Sequence, residues 1–413
     1  MQKKYIIIIG DGMGDYPIEE LQGKTPLEVA NTPAMDRLAS SGTMGLAITI
    51  PEGMPAGSDV ANMSILGCDP RGVLTGRGPL EAAAMGIKLA EGDVAFRCNL
   101  VTLEKSSNNE RVMADYSAGH ITTKEAHDIV KDLQSATEGL PLKLYPGVSY
   151  RHVLVWKDGD DSLNTTPPHD ITGQVVTEYA AVYKRVPVLQ AFVERCEIIL
   201  MDHPVNKRRI VEGKAPATSV WLWGQGRAPN VKTLQERCGL SGRMISAVDL
   251  LKGIGVCMGF DVPHIPGATG YLDTNYEEKV KAALDGLENF DLVYVHIEAP
   301  DETSHEGSLE KKIIAIEQLD SRVISPIVDY LADKNWDVKM LIMPDHLTPI
   351  KVKTHVPDPV PYLLVNVRDV LVGQGGGNEK FCERVALSRQ GEAPVPFGWE
   401  LFEKFTGCDA RRR

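Results

Sequence analysis

The sequence predicts an α/β fold: a three-layer α/β/α sandwich with a mostly parallel sheet, plus a smaller inserted α+β domain. Short apolar runs such as residues 5–9 are bounded by turn residues, as buried strands are. Stretches of helical periodicity separate these runs, which is typical of a parallel sheet with helices on both faces. A turn-rich segment, residues 115–178, interrupts the alternation and predicts the insert.

The elements are predicted in chain order from these patterns. The predicted strands are residues 5–9, 46–50, 291–297 and 338–343, and the predicted helices are 32–38, with Pro33 in its first turn, and about 310–334. Within the insert we expect a helix near 123–136 and a strand at 150–156, and residues 221–226 favour a core strand and turn. The core domain is then 1–114 with 179–413. Two long excursions from a single domain would be the alternative to an insert.

Composition excludes some classes of protein. The net charge is −12 and the longest basic run is Lys207-Arg208-Arg209, so nucleic acid is not an expected partner. No apolar run approaches the ~20 residues of a membrane helix, and the run at 5–9 is too short for a signal peptide. Seven scattered cysteines without a CxxC pair predict reduced thiols and a cytoplasmic location.

Aspartates follow three of the predicted strands within a few residues. They are Asp11, Asp301 and Asp345. Because ligands bind at the carboxyl ends of strands in open α/β sheets, we expect these carboxylates to converge. Taken singly, Asp11 could instead be the N-cap of a helix.

Histidines accompany these aspartates. His305 lies four residues after Asp301, His346 is adjacent to Asp345, and His355 follows nine residues later. Carboxylates converging without cations would raise one another's pKa, so the pattern indicates bound metal ions. Mixed Asp and His ligands suit Mn²⁺ or Zn²⁺ better than Ca²⁺.

A serine at the start of an apparent helix is the candidate nucleophile. Ser58 follows Gly57 and the predicted strand at 46–50. The positive end of a helix favours an alkoxide and can receive a phosphoryl group. The alternative is that Ser58 is only an N-cap, with Asp59 satisfying the helix dipole.

These motifs together resemble a known family. The matching segments are residues 10–15, 55–67, 75–82, 301–305, 345–346 and 354–355. They resemble the archaeal-type 2,3-bisphosphoglycerate-independent phosphoglycerate mutases of the alkaline phosphatase superfamily. The similarity covers essentially the whole chain in the same order. The serine segment and GRGPLEA at 76–82 are its specific motifs, whereas the strand-end aspartates belong to the wider superfamily.

The resemblance implies an alkaline phosphatase-like fold and an isomerase that converts 3-phosphoglycerate to 2-phosphoglycerate through a phosphoserine at Ser58. Two divalent ions would be bound, with Mn²⁺ as the expected ion and Zn²⁺, Mg²⁺ or Co²⁺ as alternatives. The enzyme would not use 2,3-bisphosphoglycerate. Asp11, Ser58, Asp345 and His346 would hold one ion, and Asp301, His305 and His355 the other. Segment 115–178 would be the lid that excludes water. The partner is a small phosphorylated metabolite; the oligomeric state stays open.

Substrate contacts require cations for a carboxylate and a phosphate. The candidates are Arg77, His120, Arg151, His169, Asp170 and Arg208, with Arg209 beside the last of these. The basic run at 207–209 could instead be a solvated face, and His120 and His169 could be ordinary loop residues. Alternative functions are a homoserine kinase, a metal-dependent phosphatase, or a metal-binding regulatory protein without turnover. The presence of Ser58 and every expected metal ligand disfavours the last.

Overall fold

A computed structural model describes residues 3–334, 336–371 and 379–408. In chain order its strands are β1 (Lys3–Gly10), β2 (Thr43–Ala47), β3 (Val94–Lys105), β4 (Arg111–Asp115), β5 (Leu142–Tyr145), β6 (Arg151–Trp156), β7 (Ser219–Gly226), β8 (Gly242–Ile245), β9 (Leu292–Ile297), β10 (Asp337–Met343) and β11 (Val360–Asn366).

The α-helices are α1 (Pro26–Val29), α2 (Pro33–Ala39), α3 (Ser58–Ile65), α4 (Arg77–Ala84), α5 (Thr123–Leu133), α6 (Thr177–Lys184), α7 (Pro187–Asp202), α8 (Pro204–Val211), α9 (Leu234–Cys238), α10 (Asp249–Cys257), α11 (Tyr276–Asn289), α12 (Ala299–His305), α13 (Leu309–Leu319), α14 (Ser325–Ala332), α15 (Val367–Leu371), α16 (Glu383–Gln390) and α17 (Gly398–Thr406). Short 3₁₀ turns lie at Glu19–Leu21, Pro70–Gly72, Gln134–Thr137 and Pro168–Ile171.

The chain divides into two compact units. The first comprises the described residues of Met1–Leu74 and Asn230–Arg413, and the second is Thr75–Pro229. The second unit contains the predicted insert, 115–178, and continues beyond it on both sides. The reason is strand pairing: β3, which precedes that segment, pairs with β6 inside it and with β7 after it.

A largely parallel sheet organises the first unit, in the order β2-β11-β10-β1-β9-β8. β1 lies between β9 and β10 and is parallel to both, and β8 is parallel to β9. β11 runs antiparallel to its neighbours β10 and β2. The predicted α/β fold with a mostly parallel sheet is confirmed.

The central strand β1 sets the position of the site. Its residues from Lys4 to Gly10 are all buried, so both faces of the strand are covered, as expected for a continuous apolar run in a parallel sheet. Gly10 lies opposite Ile297 of β9, and Ile9 lies opposite Met343 of β10. The three strands therefore end at nearly the same level, and the residues after them emerge together.

The second unit contains an antiparallel sheet in the order β4-β3-β6-β5, with β7 also paired to β3. Its core packs aromatic and aliphatic side chains of strands and helices, among them Phe96, Phe192 and Trp221. β7 extends to Gly226, which pairs with Ala95, so residues 224–226 belong to the strand and not to the predicted turn.

The helix predicted at 310–334 is interrupted. α13 and α14 are joined by a π-helical segment, Asp320–Ile324. Pro326 near the start of α14 has no N–H to donate, and a wider turn before it accommodates its ring. The carboxylate of Asp320 accepts hydrogen bonds from the backbone N–H groups of Ala34 and Met35, so the widened turn also anchors α2.

Two further expectations need correction. The strand predicted at 46–50 is β2, Thr43–Ala47, because its register is fixed by pairing with β11, which the sequence pattern did not predict. The expectation of seven reduced thiols is wrong for Cys238 and Cys408, which form a disulfide. Their Cα atoms are 5.4 Å apart although 170 residues separate them, so spacing along the chain gave no signal.

Across the described ranges, no helix combines the length and apolar composition that crossing a bilayer requires.

Candidate active site

The loop after β1 brings Asp11 to the carboxyl edge of the first unit's sheet. The Asp11 N–H donates to Ile297 O of the neighbouring strand (2.9 Å), and the Gly12 N–H donates to Asp345 Oδ1 (3.3 Å). Gly12 has φ = 60°, and a Cβ there would lie 2.6 Å from Asp301 Oδ1. Glycine is thus required on both conformational and steric grounds, and it lets Asp11, Asp301 and Asp345 converge as predicted.

One group of candidate ligands consists of Asp11, Asp345 and His346. A donor atom from each lies within 4.8 Å of the others, and all three side chains are buried. Burial raises the pKa of Asp11 well above its ordinary value, and the nearby carboxylates of Asp345 and Asp301 raise it further. Burial also opposes ionisation of Asp345, but His346, His296 and a hydrogen bond with Asp11 together outweigh it, and the pKa of Asp345 is lowered.

A second group consists of Asp301, His346 and His355, with donor atoms again within 4.8 Å of one another. The predicted ligand His305 lies beside it: its Nε2 is 3.1 Å from Asp301 Oδ2 and 3.1 Å from His355 Nε2. The hydrogen bond with Asp301 raises the pKa of His305 to about 9. Burial opposes ionisation of Asp301, but its bonds with His305 and His355 hold its pKa well below the ordinary value.

The donor set fits two divalent cations. Among the described residues, Oδ1 of Asp11 is buried and takes part in no hydrogen bond, although it faces His346 Nε2 at 3.5 Å. A buried carboxylate oxygen left in this state is costly unless a cation compensates it. Imidazole nitrogens mixed with carboxylates match transition-metal preferences. His346 lies in both groups, so the two candidate positions are adjacent.

Ser58 is the first residue of α3, and Gly57 occupies the N-cap position. No side-chain cap hydrogen bond is present at this helix start, so Ser58 is not used as a cap. Its Oγ lies 3.1 Å from His346 Nε2 instead. The hydroxyl therefore sits at the positive end of a helix and beside the candidate ligands.

Three polar residues of this site were missed from the sequence. Asn62 donates from Nδ2 to Ser58 O and to Asp345 Oδ2, both at 2.8 Å. His296 of β9 places Nε2 3.1 Å from Asp11 Oδ2, and burial lowers its pKa to about 4. The Thr348 hydroxyl donates to Asp301 Oδ1 and lies near His346 Nδ1. A signal existed for His296, which is the one polar residue in an apolar strand, LVYVHI.

The second unit gathers arginines. Arg97 on β3, which the sequence analysis did not single out, forms an ion pair with Glu81 (2.8 Å) and stacks over the Trp223 ring at 4.2 Å. Burial lowers the pKa of Arg97; Glu81 opposes that shift, and the like charges of Arg77 and Arg151 add to it. Within the described part of the chain, the buried Nε of Arg97 donates no hydrogen bond. This concentration of positive charge suits an anion with more than one charged group.

Aromatic and imidazole rings surround these arginines. The His169 ring is 5.4 Å from Trp223 and 6.0 Å from Tyr116, and His120 contacts Tyr116 and Tyr150. Burial lowers the pKa of His169; Asp170, whose Oδ1 is 3.6 Å from His169 Nε2, opposes that shift, and Arg97 and Arg77 add to it. The structure thus brings His120, His169 and Asp170 to the same unit as Arg77 and Arg151.

The three residues of the basic run at 207–209 do not share the same surroundings: two are exposed and one is buried. Arg208 is exposed on α8, and Lys207 pairs with Asp202 at 3.0 Å. Arg209 is buried: it pairs with Glu125 (2.9 Å) and donates to Ala118 O (2.7 Å). A solvated basic face therefore describes Lys207 and Arg208 but not Arg209.

At the carboxyl edge of a largely parallel sheet, carboxylates and imidazoles surround a hydroxyl on the first residue of a helix. This arrangement is typical of two-cation phosphotransferases. Comparison with known proteins identifies the group within that class. Residues 39–206 match the family model described as 2,3-bisphosphoglycerate-independent phosphoglycerate mutase. A curated protein of that name from Methanosarcina acetivorans is 53% identical over 362 residues, which is 87% of this chain and 90% of that one.

Solved structures are similar to this chain along nearly its whole length. A protein from Pyrococcus horikoshii is 31% identical, with 98% of each chain covered and a TM-score of 0.81. A cofactor-independent phosphoglycerate mutase from Thermoplasma acidophilum is 25% identical, with 98% of this chain and 99% of that chain covered and a TM-score of 0.61. The chain belongs to the 2,3-bisphosphoglycerate-independent phosphoglycerate mutase family.

Proposed function

We propose that the chain interconverts 3-phosphoglycerate and 2-phosphoglycerate through a phosphoserine at Ser58, without 2,3-bisphosphoglycerate. One observation carries the proposal: the Ser58 hydroxyl lies at the start of α3, 3.1 Å from His346, which belongs to both groups of candidate ligands. The names of the family's relatives supply the substrate. The small phosphorylated metabolite predicted as partner is then phosphoglycerate.

The chain's own residues orient the nucleophile. Asn62 holds both the first turn of α3 and Asp345, and its Oδ1 accepts a hydrogen bond from Tyr294 of β9. The backbone at Ser58 is thereby positioned relative to the sheet edge, and the contact with His346 Nε2 orients its Oγ. In the first step Oγ bonds to phosphorus, and the bond between phosphorus and the substrate's C3 oxygen breaks. The proton lost by the serine hydroxyl ends on that C3 oxygen, which becomes a hydroxyl of glycerate. In the second step the C2 oxygen bonds to phosphorus, the bond between phosphorus and Ser58 Oγ breaks, and the proton of the C2 hydroxyl returns to Ser58.

Asp11, Ser58, Asp345 and His346 would hold one cation and Asp301, His305 and His355 the other, as the family resemblance implies. When bound, the cations would lower the pKa of the serine hydroxyl and neutralise charge on the transferring phosphoryl group. We favour Mn²⁺; the mixture of carboxylate and imidazole in both groups suits Mn²⁺ or Zn²⁺ better than Ca²⁺. The lid role of residues 115–178 stays a prediction.

The substrate carries a carboxylate as well as a phosphate, and we assign its recognition to Arg77, Arg97 and Arg151. The charges of Arg77 and Arg151 both act on Arg97, and arginine's planar fork matches either anion. His120, His169 and Asp170 complete the polar lining in this proposal. Arg208 is retained only as a weaker candidate, since it is exposed.

Arg97→Lys should raise KM for 3-phosphoglycerate by roughly tenfold or more. Lysine keeps a positive charge beside Glu81, so the ion pair persists, but the bidentate fork is lost. Steady-state kinetics at saturating Mn²⁺ measures the effect. Arg195→Lys is the matched control, because among the described residues Arg195 donates only to backbone carbonyls, those of Ala136 and Glu138. Equal KM values for the two variants would remove Arg97 from the substrate site.

Direct assay tests the proposed reaction. Incubation of the purified protein and Mn²⁺ with 3-phosphoglycerate should yield 2-phosphoglycerate without added 2,3-bisphosphoglycerate. Phosphorus NMR measures the conversion. Release of inorganic phosphate alone would instead indicate a phosphatase. A parallel incubation with homoserine and a phosphate donor should yield nothing. Formation of O-phosphohomoserine as the sole product would contradict the proposal.

A further inference from the structure

A fully buried ammonium group lies beneath the candidate metal centre. Lys312 of α13 has no exposed surface, and its Nζ donates to Gly14 O (3.0 Å), Thr348 O (2.9 Å) and Asp15 Oδ2 (2.9 Å). These three bonds use all three ammonium protons. A buried charge persists only when it is fully paired in this way.

The acceptors belong to the segments that carry the candidate ligands. Gly14 and Asp15 follow Asp11 in the loop after β1, and Thr348 follows Asp345 and His346 in the loop after β10. Asp15 also accepts from the Ile350 N–H (3.1 Å), so its carboxylate joins the same two loops. α13 itself follows α12, the helix of Asp301 and His305. One side chain thus connects the segments after β1, β9 and β10, which supply every predicted ligand except Ser58.

The path from Lys312 to the ligands is short. Lys312 holds the backbone oxygen of Thr348, while the hydroxyl of Thr348 donates to Asp301 Oδ1 and lies 3.2 Å from His346 Nδ1. Thr348 therefore touches one ligand of the second group and the histidine common to both groups. Ligand orientation by such outer contacts is a known determinant of metal affinity.

We propose that Lys312 is a positioning residue for the metal centre: it fixes the loops after β1 and β10 relative to α12, so that Asp11, Asp301 and His346 are arranged to bind cations before any cation arrives. The inference rests on the metal centre of the proposed function. The competing interpretation is an ordinary buried ion pair that stabilises the unit without affecting metal affinity.

Calorimetric titration of the metal-free full-length protein with Mn²⁺ separates the two interpretations. Lys312→Met should weaken Mn²⁺ binding by roughly tenfold or more. Lys4→Met is the matched control: Lys4 is also buried on the same unit, but it donates to Phe290 O (2.8 Å) at the opposite, amino end of β1. We expect its Mn²⁺ affinity to stay within about twofold of that of the unsubstituted protein. Thermal melting of the metal-free variants reports any general loss of stability.

A second variant distinguishes loss of Mn²⁺ binding from misfolding caused by an unpaired buried charge. Lys312→Met alone leaves the Asp15 carboxylate buried without its partner, whereas Lys312→Met with Asp15→Asn removes both charges. This double variant should also bind Mn²⁺ roughly tenfold more weakly.

The inference is overturned if a folded variant binds Mn²⁺ as tightly as the unsubstituted protein, or if Lys4→Met loses as much affinity as Lys312→Met. Failure of both Lys312 variants to fold would also count against it, since Lys312 would then serve the fold as a whole. If the unsubstituted protein itself binds no Mn²⁺, the proposed metal centre fails first, and this result is distinct from the others.

Discussion

Ser58→Ala should reduce mutase activity by a factor of roughly 10⁴ or more, because it removes the atom that accepts the phosphoryl group. The fold should be retained. Gly57, not Ser58, is the N-cap of α3, the Ser58 hydroxyl makes no cap hydrogen bond, and alanine favours helices more than serine does. Activity with 3-phosphoglycerate, together with circular dichroism to confirm the helix content, measures the outcome.

Ser64→Ala is the matched control for Ser58→Ala. Ser64 is on the same helix, its side chain is buried, and among the described residues its Oγ has no hydrogen-bond partner. Its removal should leave the rate almost unchanged. Intact-mass spectrometry of the unsubstituted protein after brief exposure to substrate should detect one added phosphoryl group, absent from Ser58→Ala. A Ser58→Ala protein that retains activity within tenfold of the unsubstituted rate would refute the nucleophile assignment.

Removal of divalent cations should abolish activity and also lower the melting temperature. Without cations, burial and the carboxylates of Asp345 and Asp301 disfavour the charged form of Asp11, whose pKa is raised well above its ordinary value. A cation that binds only the folded protein stabilises it by about 2.7 kcal/mol at a concentration of 100 Kd, which corresponds to a shift of roughly 3 °C for a chain of this size. Activity assays and thermal melting after EDTA treatment and dialysis measure both effects.

Restoration by different ions serves as the control for cation removal. Mn²⁺ should restore both activity and melting temperature, whereas Ca²⁺, which prefers an all-oxygen coordination shell, should restore little. Asp301→Asn should weaken the response to Mn²⁺, because Asp301 belongs to the second group of candidate ligands. Full activity in excess EDTA, with metal analysis showing an empty site, would rule out the two-cation scheme.

The parts of the fold that could be predicted are those in which one physical signal dominates locally. β1, β9 and β10 are continuous apolar runs, and each was placed to within a residue or two of its observed ends. β2 was misplaced, because its ends depend on β11, more than 300 residues away. The π-helical segment could not be anticipated from periodicity, although Pro326 marked the place where the helix had to adjust.

Some residues of the candidate site could likewise be predicted from local sequence, and others could not. Asp11, Asp301 and Asp345 could be predicted to converge, because strands in a parallel sheet end at one edge. Asn62 and Thr348 could not, since each acts through partners that only the folded chain brings near. Nothing in the sequence singled out Arg97, because its stacking on Trp223 and its pairing with Glu81 are contacts that only the folded chain forms.

The central position of β1 has a consequence for synthesis of the chain. β1 is made well before its hydrogen-bonding neighbours β9 and β10, which end at Ile297 and Met343. At ~5–20 residues per second, roughly 20–70 s separate the emergence of β1 from that of its second neighbour. During that interval an isoleucine-rich strand with both edges unpaired is available for wrong pairings. The segment that bears Asp11 is therefore made well before its two neighbouring strands, and it can reach its final surroundings only after Met343 has been made.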